Sequence, residues 1–405
     1  MRKPLALLFV ASAAHAGGLG RPNGVSARGA GMAGAFTAWA DDPTAIYFNP
    51  AALDTVEPQV MVGGEYVYGP RRYTPVADDG TRGPDQEASI QAPLPTAGVA
   101  GRFWYDDHPS RFTLGAGVWN TFGGNIRFPT TGQPALDKTQ DAVIEAAAGA
   151  SVRISDKLAF GGAFRIGYGL FSIDATMDPY NAHLSASGIG VAMAWGALVR
   201  PTETVRIGVT WRSPLRISTS GSGTVEVVPG NPTRAPVAHD QLWPQQVSLG
   251  VGWQATPALK LAAQLDWTEW SMVHSLVVAF PTGAEPDQVY PENWNDNWAV
   301  RLGGEYAVSS AIALRAGTYL DTAAVPDRTI ERQYLDSNKI GVSAGAGYAI
   351  GGWRIDAAID AVIPTLRTVP NNTAATMAFP ADRNKAPGDY IGTLITFDLA
   401  ASRRF

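Results

Sequence analysis

The chain has 405 residues, of which 45% are hydrophobic and 17% charged, with 44 glycines, no cysteine and a formal charge of −5. That charge content lies well below the roughly 25% of soluble domains, while recurring aromatic and β-branched residues exclude a disordered chain. The missing cysteines exclude thiolate-bound zinc, iron–sulfur clusters, thiol catalysis and a disulfide scaffold, and the acidic balance argues against a nucleic-acid partner.

Arg2 and Lys3 precede the apolar stretch Leu5–Ala11, and Ala14-His15-Ala16 is a small-x-small cleavage pattern. This order predicts a secretory signal peptide over residues 1–16, with a buried N-terminal helix as the alternative. Its removal takes away Arg2 and Lys3, leaving 29 basic against 36 acidic side chains and a formal charge of −7. An exported chain without cysteine suits a bacterial periplasm or outer membrane.

Residues 17–57 do not alternate. They carry a glycine-rich run with Gly29, Gly31 and Gly34, then Asp41-Asp42-Pro43, then Asn49-Pro50-Ala51. The glycines permit close packing and unusual backbone angles. Asp41 or Asp42 is placed to cap a short helix beginning near Pro43. A compact element of this length ahead of a long strand array is expected to plug its interior, with a periplasmic extension as the alternative.

From residue 58 onward the chain alternates. Phe164, Ile166 and Tyr168 oppose Arg165, Gly167 and Gly169; Trp298, Val300 and Leu302 oppose Arg301 and Gly303; Ile395, Phe397 and Leu399 oppose Thr396 and Asp398. The best candidate for a spanning helix, Leu184–Val199, is shorter than the roughly 20 residues needed and itself shows strand parity. Strands are predicted over 59–70, 94–105, 111–120, 142–154, 158–172, 184–200, 204–217, 244–255, 258–272, 295–308, 311–320, 338–350, 352–363 and 389–402. Fourteen is an even number. Short connections such as Ser155-Asp156-Lys157, Thr256-Pro257 and Ser309-Ser310 alternate with long ones over 71–93, 121–141, 173–183, 218–243, 273–294, 321–337 and 364–388. Long alternating arms with this turn asymmetry predict an all-β, 14-stranded antiparallel transmembrane barrel over 58–405, closed because an open edge in lipid would strand backbone amides and carbonyls. Lipid then clears charge from one face of the strands.

Enzyme chemistry finds no foothold. The five histidines are scattered, none forms H-E-x-x-H, and no nucleophile, base and orienting group stand out. No catalytic residue, cofactor or metal is therefore expected.

The run RGAGMAGAFTAWADDPTAIYFNPAAL, Arg28 to Leu53, resembles the N-terminal signature of the FadL/TodX/OmpP1 family of outer-membrane hydrophobic-compound transporters. LDWTEW at Leu265–Trp270, WAVRLGGEY at Trp298–Tyr306 and LRAGTYLDTAAVPD at Leu314–Asp327 match the family in the same order. The resemblance implies a 14-stranded barrel blocked by an N-terminal hatch over residues 17–57. It implies passive transport of long-chain fatty acids or monoaromatic hydrocarbons: capture among extracellular loops, hatch rearrangement, and lateral release beside an inward kink in the third strand. On this sequence the motif at the opening is Asn49, Pro50 and Ala51. The kink falls within Leu114–Phe128, with Gly115, Gly117, Gly123 and Gly124 as candidates; relief of lumen crowding would equally explain these glycines.

Trp119, Phe122, Ile126, Arg127 and Phe128 are the candidate substrate contacts, with Lys138 and Arg165 as further basic groups for a carboxylate. The aromatic residues would also serve as interface anchors, and the charges as paired lumen groups. Fatty acid and neutral aromatic remain open alternatives as ligand, as does a general porin or a structural or adhesin barrel as function. The expected partners are a hydrophobic small molecule, outer-membrane lipid and the barrel-assembly machinery, with the protein acting as a monomer.

Overall fold

The computed structural model describes residues 24–105, 108–128, 135–177, 180–228, 231–283, 287–371 and 386–405. The signal peptide predicted over 1–16 lies outside them. Among the described residues, eighteen strand segments form one antiparallel sheet. They are β1 (Gln59–Pro75), β2 (Gln86–Tyr105), β3 (His108–Arg127), β4 (Ala135–Ser155), β5 (Leu158–Met177), β6 (Tyr180–Val199), β7 (Val205–Arg212), β8 (Leu215–Val228) and β9 (Asn231–Trp243). The wall continues with β10 (Gln246–Thr256), β11 (Leu259–Thr268), β12 (Ser275–Ala279), β13 (Gln288–Pro291), β14 (Asn297–Ala307), β15 (Ile312–Asp321), β16 (Lys339–Ile350), β17 (Trp353–Val369) and β18 (Gly388–Arg404).

Four pairs of segments are single staves interrupted part-way. Pro214 separates β7 from β8 and Pro244 separates β9 from β10, where a missing N–H cannot continue a ladder. A 3₁₀ turn at Trp270–Met272 separates β11 from β12, and residues 292–296 separate β13 from β14. The wall therefore has the predicted 14 strands. It closes where Gln59–Pro75 pairs with Arg404–Gly388.

The faces follow the parity of the sequence. Val62, Ile166, Ile189, Trp195, Trp253, Trp298 and Leu399 are exposed on the outside, whereas Glu65, Arg165, Gln264, Arg301, Asp356 and Asp398 are buried inside. Such inversion of the usual polarity suits a wall with hydrocarbon around it.

Several strands run past their predicted ends, and most of the predicted long loops are correspondingly shorter. Residues 218–243, expected as a loop, are mostly the β8–β9 hairpin, and β4, β5 and β6 extend to cover most of 135–183. Beyond the lipid, one face no longer has to be apolar, so polar strand arms such as Ser218–Ser222 of β8 keep their ladder without the alternation that reveals it.

Candidate functional site

The N-terminal segment folds as short pieces. Helix α1 (Ala27–Gly31) starts at Ser26, whose hydroxyl accepts the Gly29 N–H; α2 spans Ala45–Phe48, and a 3₁₀ turn spans Pro50–Thr55. Between them Gly34 adopts φ +77°, which needs glycine at little cost. The helix after Asp41-Asp42-Pro43 begins at Ala45, with Thr44 at the cap position. Asp42 instead accepts the Thr44 N–H at 2.8 Å and the Ser26 hydroxyl at 2.7 Å. Burial pushes the Asp42 carboxyl up, against the pull of Arg28 and the Thr44 and Ser26 hydrogen bonds. Asp41 faces the same burial, yet pairing with Arg28 holds it below the usual carboxylate range.

Asn49, Pro50 and Ala51 lie against the wall. The Asn49 amide donates to the Thr37 carbonyl at 3.2 Å and to the Ala197 carbonyl on β6 at 3.1 Å, while its oxygen accepts the Ala51 N–H at 3.1 Å. A Cβ on wall residue Gly161 would sit 2.3 Å from the Pro50 carbonyl carbon, and one on Gly196 would sit 2.1 Å from the Asn49 oxygen. Bare backbone on β5 and β6 is what lets the motif approach. Gly31 similarly lies against Gly345 and Arg315, and Gly29 against Phe48 and Phe36. Arg28, besides Asp41, reaches Glu305 on β14 at 3.4 Å.

Beside this segment the wall carries a seam. The β2–β3 ladder runs from Tyr105↔His108 to Ala97↔Val118 and stops. Above it, β2 continues paired with β1 from Thr96 to Gln86, and β3 continues paired with β4 from Trp119 to Arg127. Among the described residues those two upper edges share no rung. Pro93 and Pro95 fall in the unpaired half of β2, on the same parity. Strand proline belongs at an edge where its missing N–H has no partner to meet, so this stretch cannot donate a full set of rungs to β3. On the other side, β3 shifts register between Asn120 and Phe122. Trp119 is buried inside, 5.6 Å from the Tyr47 ring in a T-shaped contact, and its indole N–H donates to Glu145 at 3.3 Å.

The seam is backed from within. A Cβ on Gly98 would meet Pro43 at 2.8 Å, one on Gly115 would meet Leu53 at 2.8 Å, and one on Gly117 would meet the Trp119 ring at 2.4 Å. Gly115 and Gly117 thus make room for neighbours. The register shift falls at Thr121, between them and Gly123–Gly124, while Phe122, Gly123 and Gly124 continue β3 opposite Val143, Ala142 and Asp141.

At the long-loop end, residues 322–338 between β15 and β16 turn inward. Ile330 and Leu335 are buried in one apolar cluster with Ile126, Phe128, Trp270 and Trp294. Asp336 accepts the Ala324 and Val325 N–H groups at 2.6 and 3.0 Å. Arg367 donates to the Val325 and Asp336 carbonyls at 2.8 and 2.7 Å. Arg332 pairs with Asp137 at 3.3 Å and lies over the Phe128 ring at 5.1 Å. The contact candidates read from sequence all fall within 119–128; residues 322–338 read only as part of a long connection, because their apolar residues have no period to mark them.

Two of the three basic candidates are engaged in ion pairs. Arg127 is exposed and pairs with Asp174. Arg165 is buried, 2.6 Å from Glu145, and donates to the Ser213 carbonyl at 3.1 Å. Glu145 also takes Arg212 at 2.8 Å, a partner the sequence did not single out. Lys138 stands opposite Arg127 in the β3–β4 ladder.

The whole barrel superposes on that of a Pseudomonas aeruginosa FadL homologue with a TM-score of 0.79 and 18% identity, covering 96% of this chain and 100% of the other. The Pseudomonas putida toluene transporter TodX gives 0.73 and 16% over 97% and 100%, and the Ralstonia pickettii toluene transporter TbuX 0.71 and 17% over 93% and 97%. A putative outer membrane protein of Neisseria meningitidis serogroup B is 23% identical over 185 residues, 40% of this chain but only 39% of the relative's length. The model of the outer membrane protein transport family (OMPP1/FadL/TodX) matches residues 7–405. With a transmembrane barrel and that match, the chain is an outer-membrane protein and belongs to the OmpP1/FadL/TodX family of outer-membrane transport proteins.

Proposed function

We propose that the protein carries small hydrophobic compounds passively across the outer membrane and releases them sideways into the bilayer. Residues 1–16 act as the signal peptide, 17–57 as a hatch and 58–405 as the barrel. The observation that carries the reading is the β2–β3 ladder that ends at Ala97↔Val118 with Pro43, Leu53 and Trp119 behind it. A greasy ligand gains about 0.8 kcal/mol for each methylene removed from water, and a sideways exit keeps it in apolar surroundings, whereas a water-filled pore would forgo that gain. Capture falls to the apolar mouth around Ile126, Phe128, Ile330 and Leu335. A local shift of the hatch then connects the mouth to the seam, and no energy source is needed.

TodX and TbuX are toluene transporters, which favours a monoaromatic ligand; a fatty acid is the second class to test. The Arg165–Glu145–Arg212 cluster carries one excess positive charge next to Trp119, which keeps the carboxylate reading in play.

The test is uptake by cells expressing the full chain. Labelled toluene and a long-chain fatty acid should accumulate faster than in cells without it, while a polar sugar of similar mass should not. Equal entry of sugar and hydrocarbon would point to a general porin, and no stimulated entry of either to a structural barrel; each result would overturn the proposal.

A further inference from the structure

We propose that Asp54 clamps the foot of the β2–β3 seam and so sets the largest ligand the seam passes. The inference rests on the sideways-release reading and adds a size-determining residue to it.

Asp54 is 1% exposed at the end of the 3₁₀ turn that follows Asn49. Three arginines surround it. Arg153 of β4 places Nε 2.8 Å from Oδ1, and Arg200, just past β6, places Nη2 2.6 Å from Oδ2. Arg102 of β2 donates to the Asp54 carbonyl and stands 3.9 Å from Oδ1, and Arg153 Nη2 reaches the same carbonyl at 3.3 Å. The carboxylate seats the turn on Arg153 and Arg200, and the carbonyl of the same residue, held in place by that seating, is what Arg102 of β2 and Arg153 of β4 share. A single ion pair would fix a six-residue turn. What the arrangement adds is its spread across β2 and β4, the two strands on either side of β3.

A ladder with one open end yields to a wedge rung by rung. Below Ala97↔Val118 the rungs are Gly98↔Gly117, Val99↔Ala116, Ala100↔Gly115 and Gly101↔Leu114. Their small inward residues offer little side-chain interlock. The next rung is Arg102↔Thr113, and there β2 is tied to β4 through Asp54, with β3 enclosed between them. Opening therefore stops at that rung. From Ala97 to Arg102 is five residues, about 17 Å of strand, and this bounds how far unzipping can lengthen the opening below the unpaired edges.

The test compares uptake of benzene, naphthalene and pyrene by cells expressing the wild-type chain, Asp54→Asn, Asp54→Glu, Arg102→Gln and Arg200→Gln, with heat-modifiable migration confirming a folded barrel. Asp54→Asn should raise pyrene uptake relative to benzene by at least about fivefold, and Asp54→Glu should return it towards wild type. Arg102→Gln, which unties β2 alone, should reproduce the shift if Asp54→Asn does not fold. Arg200→Gln, which lies away from the seam, should shift the ratio at least threefold less. Because the chain has no cysteine, a Val99→Cys/Ala116→Cys pair reports on the seam directly, and oxidative crosslinking should fall severalfold when Asp54→Asn is added. An unchanged size profile and unchanged crosslinking in folded variants would overturn the clamp, as would equal shifts from Arg102→Gln and Arg200→Gln. If wild-type cells take up none of the three compounds, sideways release fails, while the crosslinking still decides whether Asp54 holds the seam.

Discussion

Replacing Asn49 with alanine isolates the hold between the N-terminal segment and the wall. The side chain is fully buried and makes three hydrogen bonds: to the Thr37 carbonyl, to the Ala197 carbonyl and from the Ala51 N–H. A buried hydrogen bond contributes about 1 kcal/mol net, and loss of a capping residue costs about the same. Asn49→Ala should therefore weaken docking of the 3₁₀ turn by roughly 3 kcal/mol, which raises its open population about 150-fold. Serine at the same position keeps the capping acceptor but reaches neither carbonyl, and should recover about a third of the loss. The measurement is hydrogen exchange of the Ala51 and Ala52 amides in detergent, with the β5–β6 ladder as an internal reference. Faster exchange confined to the turn is the expected result. Equal exchange in Asn49→Ala and wild type would refute the assignment of these bonds as the hold, whatever happens to transport.

Restoring donors to the seam by Pro93→Thr and Pro95→Thr should extend the β2–β3 ladder above Ala97↔Val118 and reduce hydrocarbon uptake severalfold; new protected amides at 93 and 95 are the readout, and their absence would sink the edge argument. Arg367→Ala removes the two carbonyl contacts that fold residues 322–338 inward, and should make that loop protease-sensitive while the barrel keeps its heat-modifiable migration. The Asp41 carboxyl lies below its ordinary value because Arg28 outweighs burial. Its contribution to stability is therefore present above the unfolded value near pH 4 and is lost as pH falls through the lowered value. Exchange of the α1 amides should accelerate on acidification, after correction for the intrinsic rate, and Asp41→Asn should flatten that dependence.

The parts of the site that carry a local signature could be read from the residues. Gly34 sits at a positive φ, Asn49 caps the turn that starts at Pro50, and Asp42 accepts the N–H of Thr44 two residues on. The parts that depend on what arrives from elsewhere could not. Asp54 reads as an ordinary turn residue until Arg102, Arg153 and Arg200 converge on it, and Trp119 reads as a substrate contact until Tyr47 and Glu145 enclose it. Pro93-x-Pro95 was the missed signal: two strand prolines on one parity announce an unpaired edge before any neighbour is known.

The sequence by itself determined the barrel, its 14 strands and which side chains face lipid. Each of these follows from alternation with period two, and alternation is a property of consecutive residues meeting hydrocarbon on one face. Only the tertiary structure decided how far the strands continue past the lipid, which loop fills the mouth, where the β2–β3 ladder stops and what holds its foot. Those depend on register and closure between strands far apart in the chain, and a residue's partner across a ladder leaves no mark on the residue next to it in sequence.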